Sequence, residues 1–215
     1  MKKHEPIFQE KSVSVKNIIE PRAATITKQD RRDLNGHSSF ILWFTGISGS
    51  GKSTLAHGLE NELYKSGMHT YVLDGDRVRT GLNQDLGFSA ADRKENIRRI
   101  GETAKLFVNA GIIVLAAFIS PYQKDRALAR SLVEAHEFVE IYVKCPLRVC
   151  EERDVKGFYE KARAGVIKQF TALDDPYEIP ENPDLVVETD QASSIQCINR
   201  ILRYLEANHL LKRGA

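Results

Sequence analysis

The sequence has few cysteines, no long apolar run and little net charge, and each scarcity removes a class of protein. Its three cysteines are Cys145, Cys150 and Cys197. An odd, sparse set builds no disulfide framework and fits a reducing compartment. Nor does it sit in a Cys/His cluster with zinc spacing. The N-terminal MKKHEPIFQEKS carries charge with no apolar stretch behind it, so it does not read as a secretory signal. A cytoplasmic protein is expected. The longest apolar run, Ile112 to Ile119, is eight residues. A bilayer span needs roughly 20, so no membrane partner is expected. A formal net charge of +2, without interleaved basic and aromatic residues, argues against a nucleic-acid surface.

What remains is a soluble composition with 42% hydrophobic residues, enough at 215 residues to build one sizeable core. Short apolar runs recur from Phe40 on: FILWFT (40–45), TYVLD (70–74), IIVLAAFI (112–119), EIYVKC (140–145) and DLVVET (184–189). They are rich in Val, Ile and aromatics, and several do not alternate with polar residues. That pattern suits strands buried on both faces of a parallel sheet. Helical stretches are expected between or after them at 53–66, 90–109, 124–135 and 193–208. Alternation of strand and helix predicts a parallel α/β fold. TKQDRRDLNGH reads as a short helix that stops at Asn35-Gly36. The expected layout is a mobile tail over 1–25, one domain over 26–208 and a short tail over 209–215. Within the domain, the highly charged stretch 150–183 is long for a connection between strands. It reads as a lid that closes over ligands.

The most informative stretch is GISGSGKS, Gly46 to Ser53, between a predicted strand and a predicted helix. It matches G-x-x-x-x-G-K-[ST] in the context that motif requires. Gly46, Gly49 and Gly51 allow backbone geometry and approaches that side chains would block. Amides from Ile47, Ser48, Gly49, Ser50 and Gly51 through Ser53 can then face phosphate oxygens at the positive end of a helix. Lys52 reaches the β- and γ-phosphates. Ser53 offers a hydroxyl to Mg²⁺, with Thr54 close by. ATP and Mg²⁺ are the expected cofactors. The fold implied is a P-loop kinase: three α/β/α layers, a five-stranded parallel sheet and the lid insertion.

The loop alone does not say where the phosphate goes. No NKxD-like guanine-reading motif is present, nor an apolar strand ending in Asp-Glu, and the chain is short for a motor. A small-molecule kinase fits best. LDGDRVRTGL places Asp74 and Asp76 at the C-terminal end of a strand, the edge where open parallel sheets bind ligands. Carboxylates there can help hold Mg²⁺ and take a proton from an acceptor hydroxyl. In GFSAADRKENIRRIGE, Ser89 and Asp92 form a capping box, and Arg93, Asn96 and less directly Arg99 share a helix face. With Arg79 upstream, that face suits an anionic acceptor with hydrogen-bonding edges. Phe88 could stack on a planar ring or belong to the core.

These residues resemble the adenylylsulfate kinase (APS kinase) family. The resemblance runs through LWFTGISGSGKSTLA, LDGDRVRTGLNQDLGFSAADRKENIRRIGE, FISPY, CPLRVCEERDVKGFYEKARAG and DDPYEIPENPD, from about Ile26 to Leu205. It implies transfer from ATP to the 3′-hydroxyl of adenosine 5′-phosphosulfate, with Mg²⁺, in sulfate assimilation, by a homodimer. It implies acceptor contacts from Asp76, Arg79, Phe88, Arg93, Asn96, Ile119 and Ser120. Phe170 would give the acceptor's adenine a second face, Lys156 would close over from the lid, and Arg153 would lie near the ATP adenine. The family commonly carries a phosphoserine at the position of Ser120. Direct in-line transfer needs no such intermediate. The chain departs from the family's lead-in at IIEPRAAT, which lacks the usual Trp-His pair. The rival readings are a nucleoside monophosphate kinase and a catalytically idle nucleotide-binding module.

Overall fold

A computed structural model describes residues 25–154 and 156–211. All but the last residue of the tail expected over 1–25, residues 212–215 of the tail expected over 209–215, and most of IIEPRAAT lie outside the described residues. The elements run α1 (Lys28–Asn35), β1 (Ile41–Thr45), α2 (Lys52–Lys65), β2 (Thr70–Asp74), α3 (Gly75–Arg79), α4 (Ala90–Asn109), β3 (Ile113–Ala117), α5 (Gln123–Arg130), β4 (Phe138–Lys144), α6 (Leu147–Arg153), α7 (Phe158–Arg163), β5 (Leu185–Glu188) and α8 (Ser194–Ala207). The five strands form one parallel sheet in the order β2-β3-β1-β4-β5. All five sequence-predicted strands are present. No described helix is long and apolar enough to cross a membrane.

Strand periodicity explains the layers. Successive residues of β1 point to opposite faces. Phe40, Leu42 and Phe44 join a core with α2 and α8, while Ile41 and Trp43 join one with α4 and α5. The strand is therefore buried on both sides and reads as unbroken apolar sequence. Trp43 is fully buried between Phe118 and Phe138, at ring separations of 6.1 and 5.7 Å. Its indole N–H donates to Ser120 Oγ at 3.1 Å, which ties the core to the C-terminal edge of the sheet. The 150–183 insertion shares a small core with the phosphate loop and the end of β4, in which Ile47, Cys145, Cys150, Tyr159 and Phe170 pack together.

Three local expectations change. The helix expected over 124–135 ends at Arg130, followed by a short 3₁₀ turn over 135–137. Its spacing continues helically, but Leu132 packs against Gly101 of α4, where an added Cβ would sit 2.8 Å from Leu132 Cδ1. Tertiary contact overrides propensity there. Ser89 does cap α4 by accepting from Asp92 N, but Asp92 bonds the Ser89 hydroxyl at 2.7 Å and the capping box is not closed. Arg99 turns away from the site and pairs with Asp85 and Glu95. Ahead of the sheet, α1 ends at Gly36 as expected and docks through Lys28 and Arg32 onto the buried carboxylate of Glu137.

Candidate active site

A cleft of ≈ 980 Å³ opens at the C-terminal ends of β1, β2, β3 and β5, under the lid. The phosphate loop forms its floor. Gly49 has φ +74°, and a Cβ there would lie 2.7 Å from the Cys150 carbonyl of α6. A Cβ on Gly46 would lie 2.6 Å from Val143 O. The loop therefore packs its backbone directly on β4 and α6, which only glycine permits. Gly51, also left-handed, opens α2. Lys52 is buried and donates to Ile47 O at 2.8 Å, and burial pushes its ammonium down to about 8. A buried cation at a helix start, within a loop of backbone amides, is an arrangement completed by an anion. The hydroxyl of Ser50 is buried without a protein partner. Ser48 O accepts from Tyr159 of the lid at 2.9 Å, and Thr54 lies exposed on the cleft wall.

The metal-ligand candidates also meet. Ser53 Oγ donates to Asp74 Oδ2 at 2.5 Å. Two hard oxygen donors side by side at the foot of the loop are the ligand type Mg²⁺ takes. Asp74 Oδ1 accepts from Asp76 N at 3.1 Å, so this carboxylate is committed to the loop side. Asp76 is exposed in the cleft and pairs with Lys156 of the 150–183 insertion.

A second wall of the cleft comes from α3 and α4. Arg79 and Arg93 both lie over the Phe88 ring, at 4.5 and 5.9 Å from its centroid. Burial, then the positive Arg93 beside it, pushes Arg79 down from its ordinary value. Two guanidinium groups sharing one wall have the chemistry to receive an anion. Arg79 also donates to Leu86 O and Gly87 O, holding the turn that carries Phe88. Arg93 is buried and bonds Phe88 O, Thr171 Oγ1 and Gln169 O at 2.9, 3.0 and 2.6 Å, with Asp175 at 3.7 Å. It thus fastens α4 to the lid as well as facing the cleft. Asn96 is buried and its Oδ1 accepts from Asn83 at 2.9 Å, which leaves the amide N–H₂ as the group to offer a ligand.

The remaining expected residues divide. Phe88 is 58% exposed along the cleft. Phe170 also lines the cleft but packs edge-on against Tyr159, 5.0 Å between centroids. Ile119 lines it too, and its carbonyl accepts from Thr45. Ser120, at φ 41°, is 2% exposed; its hydroxyl donates to Thr45 Oγ1 at 2.9 Å and accepts from Trp43. That hydroxyl bridges Trp43 and Thr45 where Ser120 lines the cleft. Arg153 reaches Gly49 O at 3.3 Å and Thr189 at two atoms. Sequence reasoning missed Thr189, Asn83 and Tyr177. Thr189 lines the cleft, Asn83 orients Asn96, and Tyr177 shares a 3.0 Å hydrogen bond with Thr45. The position of Thr189 at the ligand-binding edge of the sheet was the one signal that could have found it.

Comparison with known proteins points to one family. Residues 38–188 match the family model described as adenylylsulphate kinase. An adenylyl-sulfate kinase from Geotalea uraniireducens is 60% identical over 182 residues, covering 85% of this chain and 88% of that protein. One from Staphylococcus epidermidis is 50% identical over 199 residues, 93% of this chain and 100% of its own. The solved structure of a Mycobacterium tuberculosis APS kinase in complex with AMPPNP and APS is 47% identical, with a TM-score of 0.76 over 79% of this chain and 99% of that one.

Proposed function

The chain belongs to the adenylylsulphate kinase family, and from that premise we propose that it transfers the γ-phosphoryl group of ATP to the 3′-hydroxyl of adenosine 5′-phosphosulfate, yielding ADP and 3′-phosphoadenosine 5′-phosphosulfate. The observation that carries the acceptor assignment is the Arg79–Arg93–Asn96 wall facing the phosphate loop across one cleft. The loop amides and Lys52 bind the triphosphate. Ser53 and Asp74 would hold Mg²⁺, which when bound offsets phosphate charge. Arg79, Arg93 and the Asn96 amide orient the phosphosulfate, and Phe88 with Phe170 contacts the adenine. Ile119 lies along the acceptor. Arg153 lies at the nucleotide end.

Asp76 takes the proton of the 3′-hydroxyl. Asp74 is engaged by Ser53 and by the Asp76 amide, whereas Asp76 is exposed toward the acceptor wall and its carboxylate pairs with Lys156. Lys156 keeps the lid shut over that carboxylate and excludes water, which would otherwise receive the phosphate. Ser120 acts as a bridge between Trp43 and Thr45 and carries no phosphoryl group. The resemblance and the unpaired cysteines support a cytoplasmic homodimer, which light scattering on the full chain tests.

The test of function is product identity. The full chain is incubated with ATP, Mg²⁺ and adenosine 5′-phosphosulfate, and the product is read by phosphorus NMR. A new 3′-phosphomonoester is expected. Turnover confined to the 5′-phosphate of AMP, CMP or UMP would replace this reading with a nucleoside monophosphate kinase.

A further inference from the structure

Thr189 follows the last residue of β5, and no motif gave it a role. Its N–H donates to Lys144 O at 3.1 Å, so the sheet fixes its backbone. Its Oγ1 donates to Ser50 O at 2.8 Å and accepts from Arg153 Nη1 at 3.1 Å. Its carbonyl accepts from Arg153 Nη2 at 2.6 Å. Arg153 Nη1 also reaches Gly49 O. Two consecutive carbonyls of the phosphate loop are thereby drawn toward one threonine and one arginine. In a planar trans peptide the C=O and the following N–H point in opposite directions. Holding Ser50 O against Thr189 turns the Gly51 N–H away from β5. Arg153 is the last residue of α6, so the same hydroxyl joins the loop, the sheet edge and the end of α6.

We propose that Thr189 is a positioning residue for the nucleotide. Its hydroxyl sets the Ser50–Gly51 peptide and the Arg153 guanidinium in the orientation that ATP requires. The cost of losing it falls on ATP binding, because a loop that is not held must be ordered by the ligand. Acceptor binding, on the opposite wall, is untouched. This inference rests on the kinase reading for the identity of the nucleotide but not for the acceptor.

The test is calorimetric titration of the full chain with AMPPNP and Mg²⁺, without acceptor, for the natural protein, Thr189→Val and Thr189→Ser. Valine keeps the shape and removes the hydroxyl; serine keeps the hydroxyl. The valine variant should bind AMPPNP about tenfold more weakly, the effect of about one lost hydrogen bond. Serine should restore affinity to within about twofold. Amide exchange over residues 48–52 should quicken in the valine variant alone. With adenosine 5′-phosphosulfate as acceptor, KM for ATP should rise about tenfold and KM for the acceptor stay level. Natural affinity in the valine variant overturns the proposal, as does equal weakening by serine and valine. A matching rise in both KM values does so too, since it marks general damage. If valine prevents folding, Thr189→Ala with the same serine comparison decides. A natural protein that binds AMPPNP but leaves adenosine 5′-phosphosulfate unchanged would remove the acceptor assignment and leave the titration valid.

Discussion

The two walls of the cleft are built differently. On the nucleotide side, position comes from backbone. Glycines pack on Val143 and Cys150, the loop opens a 14-residue helix, and Thr189 and Arg153 hold its carbonyls. On the acceptor side, position comes from side chains that reach across to the lid: Arg93 to Gln169 and Thr171, and Lys156 to Asp76. Among the described residues, two of the four non-glycine positions with positive φ, Ser120 and Gln169, also line the cleft. Backbone strain gathers where surrounding contacts over-determine a functional site. The difference teaches how one fold serves many acceptors. The phosphate cradle is fixed by the sheet and its first helix, while the acceptor wall is assembled from contacts that can be exchanged.

Breaking the comparison begins with the largest effect. Lys52→Ala removes the buried cation of the cradle, and kcat should fall at least about 10²-fold with KM for the acceptor little changed. Near-normal turnover would contradict the role of the cradle. Removing the sulfate from the acceptor leaves the Arg79 and Arg93 charges less fully paired, so kcat/KM for AMP should lie at least about 10²-fold below that for adenosine 5′-phosphosulfate. Comparable values would dissolve the acceptor wall. Gly49→Ala forces a Cβ to 2.7 Å from Cys150 O at φ +74°. The strain is of order 1–3 kcal/mol, and AMPPNP affinity should drop about tenfold or more in a titration. Ser120→Ala should cost least. Its buried hydroxyl bridges Trp43 and Thr45, so turnover should stay within about fivefold, with a small fall in Tm. Abolished turnover would revive a phosphoserine intermediate.

How much could be read in advance follows the same division. The phosphate loop was legible because its physics is contiguous: one strand, eight residues and one helix carry it. Arg93 and Asn96 were legible because helical spacing puts i and i+3 on one face. Arg99, at i+6, shares that face less closely, and Asp85 from the preceding loop captures it. The 150–183 stretch was legible as a charged insertion, but the core it shares with the phosphate loop was not. Ile47, in the phosphate loop, is far in sequence from Cys150, Tyr159 and Phe170 and meets them only through the fold. Thr189 and Asn83 escaped for that reason too: a strand-end threonine or a buried asparagine carries no local signature, and only its partners show what it holds.

One substitution tests most directly whether the two walls are independent. Arg93→Met removes the acceptor-side fastening while leaving the cradle intact. The affinities of the full-length variant for AMPPNP and for adenosine 5′-phosphosulfate, each measured by titration against the natural protein, compare the walls in one experiment. Loss of a charged hydrogen-bonding group predicts at least about tenfold weaker binding of the phosphosulfate, with AMPPNP within about twofold. Equal losses for both ligands would contradict the account.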